Sequence, residues 1–176
     1  MEFPDMIIES LLQKYKPSLG PDYEKYRNHV YRVFLNCLLI DNETNNKMKY
    51  GITAVLHDIG IWTNHTFDYL HPSIRQAEVY LHEINKSEWI EEITGMIYWH
   101  HKITRYKGNH ELTVETFRKA DWIDVSLGLR TFGYDKLAIG KIRKKLPNRG
   151  FHWFLIKEAF NNSLKHPLNP IPVFKK

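Results

Sequence analysis

The stretch "AVLHDIGI", Ala54 to Ile61, drives an apolar run straight into an imidazole and a carboxylate, His57 and Asp58. Burying an unpartnered neutral polar group costs roughly 2–7 kcal/mol, and a charge costs more, so the pair needs partners from elsewhere in the chain. Helical spacing supplies them. His29 follows Tyr26 by three residues and leads Val33 and Cys37 at steps of four, so it points with them into a core. His100 stands on the side of Ile93, Met96 and Ile97, and His101 stacks over Ile97. Asp121 is flanked by Phe117 and Val125, four residues away on either side, where an acid is strongly destabilising unless something cationic meets it. Each has an ordinary explanation by itself: a core histidine bonded to a backbone carbonyl, or an aspartate paired with an arginine such as Arg118. Their coincidence on separate helices is better explained by one divalent cation, which neutralises carboxylates and takes up imidazole lone pairs together. A donor set of imidazole and carboxylate without thiolate suits Mn, Fe, Co, Ni or Zn, and Mg less well.

The other histidines divide. His71 precedes Pro72 at a helix start, from where its ring can turn inward. His82 has mixed neighbours and reads as solvent-facing, and His65, His110, His152 and His166 lie in or near polar segments and read as surface.

These donors are carried by a chain that reads as helices throughout. The spacing predicts helices over residues 6–15, 22–40, 46–57 and 72–84, then through "EWIEEITGMIYWHH", "VETFRKADWIDVSLGL", "YDKLAIGKIRKKL" and "FHWFLIKEAFNNSL". Pro17, Gly20 and Pro21 break the first, Thr44 or Asn45 caps the third, and Gly60 stops it. Ser87 and Thr113 are the next caps, and three prolines after Lys165 predict an extended tail on the surface. No strand-like alternation persists. The expected fold is all-α, a single domain over 1–176 with about seven or eight helices, a motif-bearing core at 22–130, and C-terminal helices and tail at 134–176.

Composition narrows the setting. A lone cysteine, Cys37, excludes an internal disulfide and a thiolate cluster and fits a reducing cytoplasm. The acidic start "MEFPDMIIES" does not read as a signal peptide, and no apolar run reaches membrane-spanning length. The net charge of +5, partly in "KIRKK", suits an anionic ligand without specifying one. Aromatics at helical spacing belong to a core rather than to a stacking platform, so no specific nucleic-acid binding is expected. Oligomeric state is not written in the sequence.

His29 in "YRNHVYRVF", His57 and Asp58 in "AVLHDIG", and Asp121 in "RKADWIDVSLGL" together resemble the H…HD…D order of the HD-domain superfamily of metal-dependent phosphohydrolases, over roughly residues 22–130. "LHPSIRQAEVYL" and "IYWHHKITRYKG" resemble the HP-headed helix and the HH segment of that superfamily's two-metal HD-GYP branch. The resemblance implies that His29, His57, Asp58 and Asp121 hold a first ion. It implies that His71, His100 and His101 serve a second, with Asp58 bridging. The same order is similar to the superfamily's diiron oxygenases, such as inositol oxygenase. Two departures matter. Ile61 stands where many binuclear members carry a lysine, and "NHE" follows "YKG" in place of the GYP signature, so hydrolysis of a cyclic dinucleotide is not implied. The anion contact must come from elsewhere. Arg118, one turn before Asp121, is the first candidate, ahead of Lys102, Arg105 and Lys107. The expected activity is hydrolysis of a phosphate ester, nucleotides included, by metal-activated water, with Asp58 and Arg118 as its catalytic residues. The alternatives are an HD-type diiron oxygenase acting on a small polyol or phosphonate, and a non-catalytic metal-stabilised binding module.

Overall fold

The computed structural model describes residues 4–167, and among them it contains helices, turns and loops but no strand. In chain order the helices are α1 (Met6–Leu19), α2 (Tyr23–Ile40), α3 (Lys47–Leu56), the single-turn α4 (Gly60–Thr63), α5 (Leu70–Glu83), α6 (Ile90–Trp99), α7 (Glu111–Val125), α8 (Lys136–Lys145) and α9 (Phe151–Lys165). All but α4 run ten residues or more, which gives eight full helices in an all-α fold, as the sequence predicts. The expected proline-rich tail lies outside the described residues from position 168 on.

Seven consecutive residues of α2, Asn28 to Phe34, are buried. A helix covered on every side must run through the middle of its neighbours. α2 packs along α7 on one side and α3 on another, with α1 laid over α3 and α8 and α9 leaning on α2. α5, α6 and α7 pack in succession and close the remaining side. The polar positions of α2 that face inward, His29 and Arg32 among them, are therefore placed where α3 and α7 can reach them.

Several boundaries differ from the sequence reading. α1 continues past Pro17 to Leu19, whose buried side chain holds the last turn down, and Gly20 ends it with φ +49°. Neither Thr44 nor Asn45 caps α3; they form a 3-10 turn that runs into it. α7 begins at Glu111, ahead of Thr113, because His110 takes a left-handed conformation (φ 60°) at its N-terminus. The Thr113 hydroxyl donates instead to Glu92 at 2.7 Å.

Gly60 does not stop a helix by positive φ; it opens α4. A Cβ there would lie 2.6 Å from the Tyr69 carbonyl oxygen and 2.8 Å from Pro72 Cβ. The missing side chain lets the HD turn sit against the first turn of α5. The Gly60 N–H donates to Ser73 Oγ at 3.0 Å, and the Ser73 N–H donates to the Tyr69 carbonyl at 2.9 Å.

Candidate metal centre

Two helix ends aim their histidines at one point. His57 and His100 are the C-cap residues of α3 and α6, where backbone carbonyls lack helical partners. His57 Nδ1 lies 2.9 Å from the Ala54 carbonyl and His100 Nδ1 lies 2.5 Å from the Ile97 carbonyl. A carbonyl oxygen only accepts, so Nδ1 carries the hydrogen in both rings and Nε2 is left with its lone pair. His29, in mid-α2, is fixed the same way: its Nδ1 stands 2.7 Å from Asp124 Oδ2. Asp124 in turn accepts from Arg32 Nε at 2.6 Å and Arg32 Nη2 at 2.9 Å, which keeps it ionised. Three imidazoles are thus locked by their far nitrogens, with the near nitrogens facing inward. Carboxylate or carbonyl partners behind ligating histidines do this in metal sites generally.

Most of the inward carboxylate and imidazole atoms meet at distances too long for a hydrogen bond. His29 Nε2 and His57 Nε2 are 3.0 Å apart, two lone pairs facing each other when both rings are neutral. Asp58 Oδ2 lies 3.6 Å from the first and 3.3 Å from the second. Asp121 Oδ1 lies 3.8 Å from each. On the far side of the same carboxylates, Asp58 Oδ1 is 3.4 Å from His100 Nε2, and Asp121 Oδ2 is 3.7 Å from His101 Nδ1. Both acids therefore present one oxygen to each half of the cluster. Among the described residues six buried side-chain atoms have no hydrogen-bond partner, and four belong here: Asp58 Oδ1, His100 Nε2 and both oxygens of Asp121.

Buried polar atoms are rarely left bare, so this concentration calls for something that protein atoms do not supply. Ligands held about 2.0–2.2 Å from a cation stand ~3–4 Å from one another, the spacing seen here. The residues fit a divalent cation. His29, His57 and Asp58 form one donor group and Asp58, His100 and His101 a second, each with its atoms within 4.8 Å of one another. The walls are apolar, with Phe151 stacked on His29 at 4.1 Å and Phe117 edge-on to His57 at 5.4 Å.

In the metal-free protein protons must do the balancing. Burial pushes His29 down, but the Asp124 and Asp58 carboxylates overcome it and hold the imidazolium up to about 9. Burial likewise opposes charge on His100, which Asp58 and Asp121 raise above the ordinary histidine range. Burial and the charge of His100 hold His101 well below it. Burial raises Asp121 above the ordinary carboxylate range, whereas on Asp58 the neighbouring imidazoles outweigh burial and pull it well below. Asp124 also titrates below the ordinary range, because hydrogen bonds from His29 and Arg32 outweigh its burial.

Six of the residues expected from sequence meet here: His29, His57, Asp58, His100, His101 and Asp121. Two do not. α5 begins at Leu70, so His71 falls in its first turn on the outer side and is exposed to solvent. Arg118 is buried but spoken for: Nε and Nη2 grip Glu115 at 2.7 and 2.8 Å, and Nη1 donates to the Lys102 carbonyl at 3.2 Å. It is a structural clamp with its donors turned away from Asp121. Arg105 pairs with Glu111 at 2.7 Å. The sequence reading missed Asp124, Arg32 and Tyr69. Asp124 was signalled by its place in "ADWID", and Arg32 by its place one turn after His29 on a covered helix. Tyr69, whose hydroxyl meets His101 Nε2, lies in a stretch without periodicity and carried no signal.

Three surface clefts are lined by other residues, among them one of about 370 Å³ beside Glu111, Glu115 and Lys119. Among the described residues no helix is long and apolar enough to cross a membrane. Comparison of the chain with known protein families, with curated proteins and with solved structures finds no match.

Proposed function

We propose that the protein is a metal-dependent phosphohydrolase of the HD type, acting on a small phosphate ester, nucleotides included. The observation that carries this reading is the close approach of His29 Nε2 and His57 Nε2, 3.0 Å apart, with their far nitrogens held from behind and two carboxylates beside them. Only a cation or a proton relieves that contact, and the surplus of unpartnered acid oxygens favours the cation. His29, His57, Asp58 and Asp121 would hold one ion, and Asp58, Asp121, His100 and His101 a second. A bound divalent cation supplies Lewis acidity, acidifying water and neutralising phosphoryl oxygens.

The chain's own residues do the rest. Asp124 and Arg32 keep His29 from turning, the Ala54 and Ile97 carbonyls keep His57 and His100 aligned, and Phe117 and Phe151 keep bulk water off the rings. His101 has a side chain 14 % exposed against at most 3 % for the other donors, so substrate approaches from its side. With Arg118 held by Glu115, that guanidinium is not free to meet a phosphate, whose charge would fall to the bound cations.

Elemental analysis of freshly purified protein, paired with a phosphoester panel with and without chelator, tests the reading. Bound Mn, Fe, Co, Ni or Zn and chelator-sensitive hydrolysis are expected, both lost in Asp58→Ala. Metal content unchanged in that variant defeats the site. Iron with oxygen-dependent turnover and no hydrolysis moves the assignment to the diiron oxygenase, for which the Asp58 carboxylate common to both donor groups speaks. Metal without turnover leaves a metal-stabilised binding module.

A further inference from the structure

We infer that Tyr69 is the anchor that makes His101 a ligand through Nδ1, the opposite ring nitrogen from the one used by His29, His57 and His100. This rests on the metal reading of the site and adds to it a positioning residue.

The geometry repeats a pattern in reverse. In three rings Nδ1–H is fixed by an oxygen outside the cluster and Nε2 faces in. In His101 it is Nε2 that meets an outside oxygen, the Tyr69 hydroxyl, while Nδ1 faces Asp121 Oδ2 at 3.7 Å. That separation is too long for a hydrogen bond, and Asp121 Oδ2 has no hydrogen-bond partner. A hydroxyl both donates and accepts, so the Tyr69 oxygen can take the Nε2–H hydrogen and leave the Nδ1 lone pair directed inward. His101 Nδ1, His100 Nε2, Asp58 Oδ1 and Asp121 Oδ2 then complete the second half-site. In the opposite arrangement Nδ1 carries the hydrogen and His101 is no ligand.

The fold holds Tyr69 to this task. Its carbonyl is pinned over Gly60, where a Cβ would come within 2.6 Å, and accepts from the Ser73 N–H at 2.9 Å. Its ring is 1 % exposed and stands edge-on to His101 at 6.0 Å and to Phe67 at 5.9 Å. The glycine two residues after Asp58 thus ties the first half-site to the anchor of the second.

Mn²⁺ titration of wild type and Tyr69→Phe, read by calorimetry, together with ¹H–¹⁵N spectra of the metal-free imidazoles, tests this. Tyr69→Phe removes the hydroxyl and keeps the ring. Expected are two ions on the wild type, a weaker-ion affinity reduced about 10–100-fold in the variant with the tighter ion unchanged, and a wild-type His101 carrying its hydrogen on Nε2. A wild-type His101 protonated on Nδ1 overturns the inference, as do unchanged affinities in Tyr69→Phe, equal loss of both ions, or a single ion on the wild type. No Mn²⁺ uptake by the wild type defeats the metal reading itself, and the tautomer then decides the anchor alone. Should Tyr69→Phe fail to fold, His101→Ala must lose the weaker ion; its retention overturns the half-site.

Discussion

Helix α7 buries three acids in ten residues and treats them differently. Glu115 is 5 % exposed, Asp121 1 % and Asp124 1 %. Glu115 is gripped in two-pronged fashion by Arg118 and also accepts the Tyr106 N–H at 2.8 Å. Asp124 is gripped in the same fashion by Arg32 and bonded to His29. Asp121, between them, has no hydrogen bond to either oxygen. Burial is much the same in all three cases, so burial of charge does not tell them apart. What sets Asp121 apart is that the protein brings an arginine to each of the other two and leaves this one bare among imidazoles. Closed pairs hold the helix in place; the open acid is the one of the three with oxygens to spare for a ligand.

That contrast is broken or sharpened by substitution at each acid. The largest effect belongs to the open site: Asp121→Asn should abolish metal retention through desalting, measured by elemental analysis. In chelator the same variant should melt near wild type, within roughly 1 kcal/mol, since no hydrogen bond is lost with the oxygen. A large drop in the chelated protein would place Asp121 with the structural acids. The clamp should behave in the opposite way. Arg118→Ala leaves Glu115 charged, buried and unpaired, at a cost of about 3–5 kcal/mol in denaturant unfolding, with metal stoichiometry unchanged in the fraction that folds. Metal lost from the folded fraction would return Arg118 to the site.

The periodicity of the sequence is sufficient to place His29, His100 and Asp121, because Cβ direction on a helix follows from position alone; His101 lies past the end of α6 and reaches the cluster from the turn that follows. Periodicity is not sufficient for Arg118. Helical side chains lean toward the N-terminus of their helix, and a long one carries its charged head a full turn back. Arg118 therefore reaches Glu115, three residues earlier, rather than Asp121, three residues later. Gly60 was misread for a similar reason: spacing shows where a helix can end, not which backbone will be laid against a glycine. Asp124 and Arg32, the partners behind His29, come together across 92 residues, a tertiary pairing that no local pattern states.

The smaller effects lie behind the site and beside it. Asp124→Asn keeps an acceptor for His29 but removes the charge that fixes the ring, and losing that support behind the imidazole should weaken metal affinity about 10–100-fold while stoichiometry persists. Equilibrium dialysis against a metal buffer reads that directly. His71→Ala should do least. The resemblance makes His71 a ligand, but α5 already starts at Leu70, and one helical position there turns a side chain by about 100°. His71 is exposed, and the residue that turns in beside His101 is Tyr69. Stability within about 0.5 kcal/mol of wild type and unchanged affinity for both ions are expected. A selective loss of the weaker ion in His71→Ala would mean that the first turn of α5 rewinds when metal binds, carrying the imidazole inward and displacing the phenol from His101.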